Sequence, residues 1–286
     1  SFPTRRSSDL IIFIVALVVF LVAAFFAVRI LLSYHQGKVF YEDLAEEVLT
    51  VPSEDEVVTL DALQVDWDAL YAVNTDTIGW IYVPGTVINY PVVWSGEDTV
   101  YLRRGFDGSY SGTVEWGCIF LEGKNSPDWS DANNILFGHA MRNGTMFAPF
   151  HRMSNNGTFN TLRDIYILTP EGNLHLKTFA YVWVPATAME VLTCTFETDE
   201  ERIAFIQDKM DATLFTPNTA FPAASKMDTI FSFITCDSAA STGRYIVYAY
   251  VFDSTHPGIT PAEPLDPNAG SGVTADLIDG LAITSA

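Results

Sequence analysis

The stretch FSFITCDSAASTGRYIVYAYV, residues 231–251, decides the reading of this chain. Two β-branched and aromatic runs flank seven small or polar residues, the pattern of two strands joined by a loop. The first run ends on Cys236 and the second opens on Arg244. Alternation puts Ser232, Ile234 and Cys236 on one face of their strand. If the loop closes an antiparallel pair, the thiol and the guanidinium share one end of a sheet. An arginine there is always charged, can stabilise a thiolate, and can donate to the oxygen of a tetrahedral acyl intermediate.

Working outward, the same signature recurs along the chain. IGWIYVPG, TVINYPVVW, WGCIFLEG, NNILFGHA, DIYILTP and LHLKTFAYVWV are further short β runs with turn residues between them. Many short strands with turn chemistry point to a mainly β barrel or sandwich with peripheral helices. One helix is expected in TDEERIAFIQDKMDATLF, with Thr198 and Glu201 as a capping box and Ile203, Ile206, Met210 and Leu214 on one face. Another is expected over Leu60–Asn74, where Leu63, Trp67, Leu70 and Tyr71 recur at helical spacing.

The amino-terminal part differs in kind. Leu10–Val28 is an uncharged apolar run, about 28 Å long as a helix, close to the ~30 Å of a bilayer core. It predicts one transmembrane helix over residues 10–32, embedded in membrane lipid, with Arg29 snorkelling to the interface. Residues 1–9 read as a lead-in that need not be native. Arg5 and Arg6 before the span and acidic sequence after it predict a cytoplasmic amino terminus and an external remainder. Residues 33–57 read as a charged stalk, 58–254 as the folded domain, and 255–286 as a disordered tail rich in Pro, Gly and Asp.

Composition excludes some function classes. Among the 286 residues, 15 basic against 35 acidic side chains give a net charge of −20, which repels nucleic acid. Three widely spaced cysteines are neither a disulfide framework nor, without histidines at ligand spacing, a zinc site. No metal or cofactor is expected.

A cysteine nucleophile needs a proton-transfer partner. Of five histidines, His139 follows a buried-looking strand and a glycine and precedes a polar loop, a position suited to exchange protons with substrate and thiol. His151 reads as part of a surface helix, and His175, between Leu174 and Leu176, as solvent-facing. Taken singly, each of Cys236, His139 and Arg244 is more often structural; an ion pair of Arg244 with Asp237 is the ordinary alternative. Cys118 reads as a core thiol, and Cys194, the rival nucleophile, as a buried or groove-edge thiol.

At these residues the sequence resembles the sortases, and within them class B. The histidine motif resembles NNILFGHAMRNGTMF, the strand ending on the cysteine resembles SFITC, and the arginine motif resembles GRYIVYAYV. The similarity extends from about Leu60 to Phe252. Ser232 and Phe233 depart from the usual Thr-Leu before the cysteine.

The resemblance implies a sortase-type β-barrel and a membrane-anchored cysteine transpeptidase outside a Gram-positive cell. It assigns Cys236 as nucleophile, His139 as general acid/base and Arg244 as oxyanion or thiolate stabiliser. It suggests Leu102, Val191, Leu192 and Ile234 as substrate contacts. The implied partners are surface proteins with a carboxy-terminal sorting signal of Asn-Pro-X-Thr type, and a peptidoglycan precursor or a pilin amine as acceptor. A pilin-polymerising sortase and a non-catalytic anchored adhesion or scaffold module are the alternatives. The Ser-X-Gly-Cys motif of cysteine L,D-transpeptidases is absent, and papain-like hydrolases place the cysteine before the histidine.

Overall fold

A computed structural model describes residues 4–52, 58–110, 116–236 and 243–263. The first element, α1 (Thr4–Val48), is one helix that carries both the apolar run and most of the expected stalk. Its apolar part is exposed on all sides. Beyond it the pattern changes. Ser33, Gly37, Tyr41, Leu44, Ala45 and Val48 are buried, and their three- and four-residue spacing makes one stripe. That stripe lies on the folded domain, so residues 33–48 form a packed helix rather than a free stalk.

A two-strand ribbon follows, of β1 (Leu49–Thr50) and β2 (Gln64–Val65). The helix expected over Leu60–Asn74 is shorter, because Asp66 caps it: its side chain accepts from Ala69 N, and α2 runs over Trp67–Val73. Residues Leu60–Ala62 form only a 3-10 turn.

The remaining strands close a barrel: β3 (Thr77–Tyr82), β4 (Asn89–Val93), β5 (Ile119–Leu121), β6 (Asn133–His139), β7 (Asp164–Thr169), β8 (Gly172–Pro185), β9 (Ile230–Cys236) and β10 (Gly243–Ser254). The order around it is β10-β8-β7-β3-β4-β5-β6-β9, and β9 returns to β10. Six of the eight contacts are antiparallel; β4 pairs with β5, and β6 with β9, in parallel. Two short helices, α3 (Ala148–His151) and α4 (Asn156–Thr161), join β6 to β7. A 3-10 turn at Glu190–Leu192 and the helix α5 (Asp199–Asp211) join β8 to β9.

The interior is aromatic. Trp129 packs on Phe231, Phe231 on Phe233, and Phe233 on both Phe147 and Phe150. Each such pair adds about 0.5–1.5 kcal/mol beyond its buried area. This chain of rings runs beneath β9 and fixes the strand that ends on Cys236.

Helix α5 begins where expected, with Thr198 accepting from Glu201 N at 3.2 Å. The Glu201 carboxylate reaches Glu197 N instead of closing the box on Thr198. Ile206 is fully buried, whereas Leu214 lies beyond the helix and is exposed. The Arg202 guanidinium ties the helix to the approach of β9 through the Met227 carbonyl and the Asp228 carboxylate. Past the barrel, Ile259 is buried and Ala262 N donates to Val251 O, so the start of the expected tail packs. The rest of that tail, from residue 264, lies outside the described residues.

Candidate active site

Two parallel strands set the site. In the β6–β9 pairing, Phe137 is level with Ile234 and His139 with Cys236. Both strands end there, so the two residues occupy the same barrel rim. On the other side of β9, the β10 register runs to Ile246 opposite Ile234. Thr235 Oγ1 donates to Tyr245 O at 3.0 Å, carrying the contact one residue further. Continued by one more, that register sets Arg244 level with Cys236. His139, Cys236 and Arg244 therefore fall in one row across three neighbouring strands, each about 4.8 Å from the next. The side chain of Cys236 and residues 237–242, which include Asp237, lie outside the described residues.

Neighbouring backbone holds the imidazole in place. His139 is half-buried, and its Nε2 lies 2.6 Å from the carbonyl oxygen of Leu102. Carbonyl oxygen only accepts, so Nε2 carries the proton and donates. Nδ1 is then the nitrogen that exchanges a proton in the neutral ring. The Leu102 carbonyl is itself braced. Gly117 has φ +59°, and a Cβ there would lie 2.7 Å from that oxygen and 2.5 Å from Tyr101 O. Only glycine permits this approach.

The turn after His139 is equally tied. Phe147 N donates to His139 O at 2.8 Å, and Ala140 bridges to Met146. Met146 has φ +57°, uncommon for a side-chain-bearing residue, and its N–H donates to Tyr90 Oη at 3.0 Å. Immediately before His139, Gly138 leaves room for neighbours: a Cβ would meet Ile119 Cδ1 at 2.5 Å and Phe147 Cδ2 at 2.6 Å.

Arg244 is half-buried and pairs across β10 with Val184 of β8. Among the described residues, no carboxylate lies within ion-pair distance of its guanidinium. With none among the described residues to neutralise it, the half-buried cation can serve a developing negative charge.

The other candidates fall into two groups. Val191 and Ile234 are fully buried, while Leu102 and Leu192 are half-buried and pack against the core. A polar network holds the Val191–Leu192 segment: Asn133 Nδ2 donates to Thr193 O, Asn133 N to Cys194 O, and Ser232 Oγ to Asn133 Oδ1. Ser232, noted in the sequence only as a departure from the family motif, thus links β9 to the segment beside it.

The remaining thiols and histidines lie off the row. Cys118 and Cys194 are buried, and burial pushes each thiol up to about 12; a bond to the buried Glu122 carboxylate adds to the rise at Cys194. His151 is half-buried, not on the surface as its sequence context suggested, and meets Tyr245 edge-on at 5.2 Å. His175 stacks on Tyr166 and contacts Asp164 Oδ1 at 2.7 Å, so it is also partnered where a solvent-facing ring was expected. Among the described residues, no cluster of three His, Cys, Asp or Glu is placed to hold a metal.

A closed eight-strand barrel with this rim is the sortase fold. No family model matches the chain. By sequence it is similar to sortase B of Staphylococcus aureus, 23% identical over 243 residues, 84% of this chain and 95% of that protein. It is 24% identical over 180 residues to sortase B of Listeria monocytogenes, 62% of this chain and 70% of that one. By structure it is similar to sortase B from B. anthracis in complex with AAEK1: TM-score 0.63, 23% identity, 77% of this chain and 98% of that one. The chain is a homologue of the class B sortases, and the relationship supports a transpeptidase function in general.

Proposed function

We propose that the protein is a membrane-anchored cysteine transpeptidase that works through a thioester on Cys236. The observation carrying this reading is the register that makes His139 and Cys236 neighbours, with Arg244 on the adjoining strand. In the first half-reaction the Cys236 thiolate attacks the carbonyl carbon of the Thr in a sorting signal. A C–S bond forms, the carbonyl electrons move to oxygen, and Arg244 donates hydrogen bonds to that oxyanion. On collapse the C–N bond breaks and His139 gives its proton to the leaving amine. In the second, an incoming amine attacks the thioester, the C–N bond forms, the thiolate leaves, and His139 takes the proton. One difficult exchange becomes two easier ones.

Leu102, Val191, Leu192 and Ile234 are proposed to border the sorting-signal groove, on resemblance and on their closeness to the row. An Asn-Pro-X-Thr-type signal is the proposed donor. The proposed acceptor is a cell-wall precursor amine. The apolar helix over residues 10–32, exposed and long enough to cross a bilayer, supports a single-pass anchor; the proposed placement of the catalytic domain outside a Gram-positive cell rests on the resemblance.

The test incubates the full-length protein with a sorting-peptide library and detects the acyl-enzyme by mass. A thioester that disappears in Cys236→Ala and persists in Cys194→Ala is expected. Labelling that follows Cys194, or no adduct at all, would overturn the assignment. Because His139 must be charged while Cys236 is a thiolate, activity should fall at both pH extremes.

A further inference from the structure

Three cationic side chains are buried among the described residues: Arg163, Arg202 and Lys209. Two of them have carboxylates. Arg202 meets Asp199 at 3.3 Å and Asp228 at 3.1 Å, and Lys209 meets Asp208 at 2.7 Å. Arg163, only 5% exposed, has none within ion-pair distance among the described residues. Its chain neighbour Asp164 takes the opposite face of β7, where His175 and Lys177 hold it at 2.7 and 2.6 Å. Burial lowers the proton affinity of the Arg163 guanidinium, opposed only by Tyr250 and Asp164.

The backbone fixes where this guanidinium stands. Arg163 links α4 to β7. Thr178 N donates to Arg163 O at 2.9 Å, which carries the Asp164–Lys177 register one residue further. Arg163 and Thr178 therefore share a face of the β7–β8 pair. The Phe159 ring lies against the guanidinium at 6.0 Å. Nη1 donates to Asn160 Oδ1 at 3.5 Å and to Asn218 Oδ1 at 3.4 Å. Asn160 is itself fixed: its Nδ2 donates to Asn156 O and Thr216 O, and its Oδ1 accepts from Asn218 N.

The other edge of the guanidinium is different. Nε and Nη2 are buried and have no hydrogen-bond partner among the described residues, and the same holds for Thr178 Oγ1. On a planar guanidinium the Nε–H and Nη2–H bonds run parallel along one edge, at the spacing of the two oxygens of a carboxylate. Buried polar groups are nearly always paired, and a buried charge demands it most. A neutral acceptor would satisfy the hydrogens and leave the charge uncompensated. An anion with two coplanar oxygens does both.

We propose that Arg163 and Thr178 form a binding site for a small carboxylate taken from solution, held two-pronged by Nε and Nη2 and capped by the threonine hydroxyl. The occupant completes a network that already joins α4 and the α5–β9 connection to β7 and β8 through Asn160 and Asn218. Binding to the folded chain alone stabilises that chain by mass action. The site stands whether or not Cys236 is the nucleophile.

The test uses full-length protein in neutral detergent micelles with sodium formate as the probe and sodium chloride at equal ionic strength as the control. Titration of carbon-13 formate, followed by its NMR line width, should show saturable binding to wild type and gives a dissociation constant without any variant. At a tenfold excess over that constant, formate should raise Tm by about 3–6 °C more than chloride does. Arg163→Met keeps the apolar stem and should abolish both the binding and the extra rise. Thr178→Val keeps the shape and should weaken binding about 3–10-fold, the worth of one neutral hydrogen bond. Absence of saturable binding to wild type, a formate gain no larger than that of chloride, or a full response in Arg163→Met overturns the site. A Thr178→Val constant within twofold of wild type removes the hydroxyl from it.

Discussion

The Nε2 of His139 lies 2.6 Å from the carbonyl oxygen of Leu102. That oxygen cannot donate, so the contact selects the tautomer with hydrogen on Nε2 and leaves Nδ1 to take up protons. Nitrogen-15 NMR of the neutral ring should report a protonated Nε2 and a bare Nδ1. The opposite tautomer would mean that the imidazole is turned around in solution.

Replacing Arg244 by lysine keeps the charge and removes the planar set of donors. The thioester-forming rate should fall by about 10²–10³, the cost of losing one oxyanion donor. The sorting peptide's KM should change much less. A rate within threefold of wild type would take Arg244 out of the reaction.

Thiol reactivity should separate the three cysteines. Burial holds Cys118 and Cys194 at about 12, so both are protonated at neutral pH and shielded. Iodoacetamide at pH 7.5 should give a single adduct on the native protein, at Cys236, and three after denaturation. Native labelling at Cys194 would contradict its buried contact with Glu122.

Gly138→Ala places a methyl against Ile119 and Phe147 where no room exists. Overpacking of this kind costs about 1–3 kcal/mol. Phe147 N also holds the His139 carbonyl, so activity should fall further than the lost stability explains. Thermal melts and thioester rates on the same sample check both parts.

On the outer barrel face the His175 hydrogen bond, with Lys177 adding to it, lowers the Asp164 carboxyl to about 2. A depressed carboxyl stabilises the fold above its ordinary range, and that stability is lost as pH falls from about 4 to about 2. Asp164 is partly exposed, so the effect is below about 1 kcal/mol after screening. Asp164→Asn should lower Tm by about 2–4 °C at most at pH 7, with the difference vanishing near pH 2. A difference that persists at pH 2 would point to another cause.

The eight barrel strands were legible because each is a short β-branched or aromatic run ended by turn residues. Their order was not, since alternation says which face a residue takes but not which strand lies beside it. The parallel pairing of β6 with β9, which makes the site, leaves no local mark in either run. The stripe from Ser33 to Val48 was obscured by the charged residues between its members. The helix expected from Leu60 failed on Asp66, whose side chain starts the helix two turns later. The burial of His151 and the bonding of the outward-facing His175 were missed because their partners, Tyr245 and Asp164, are supplied by other strands.

Strands β6 and β9 lie side by side although the whole segment from Ala140 to Thr229 separates them in the chain. Closing so long a loop carries an entropic cost that nearby contacts cannot offset early. The rim therefore depends on a contact of long sequence range, which β9 can supply only once β7, β8 and α5 have been made. A chain made only as far as β8 carries the histidine strand but not the strand that ends on Cys236. With Cys236 as the proposed nucleophile, a molecule whose synthesis stops short of it would have no means of forming the proposed acyl-enzyme.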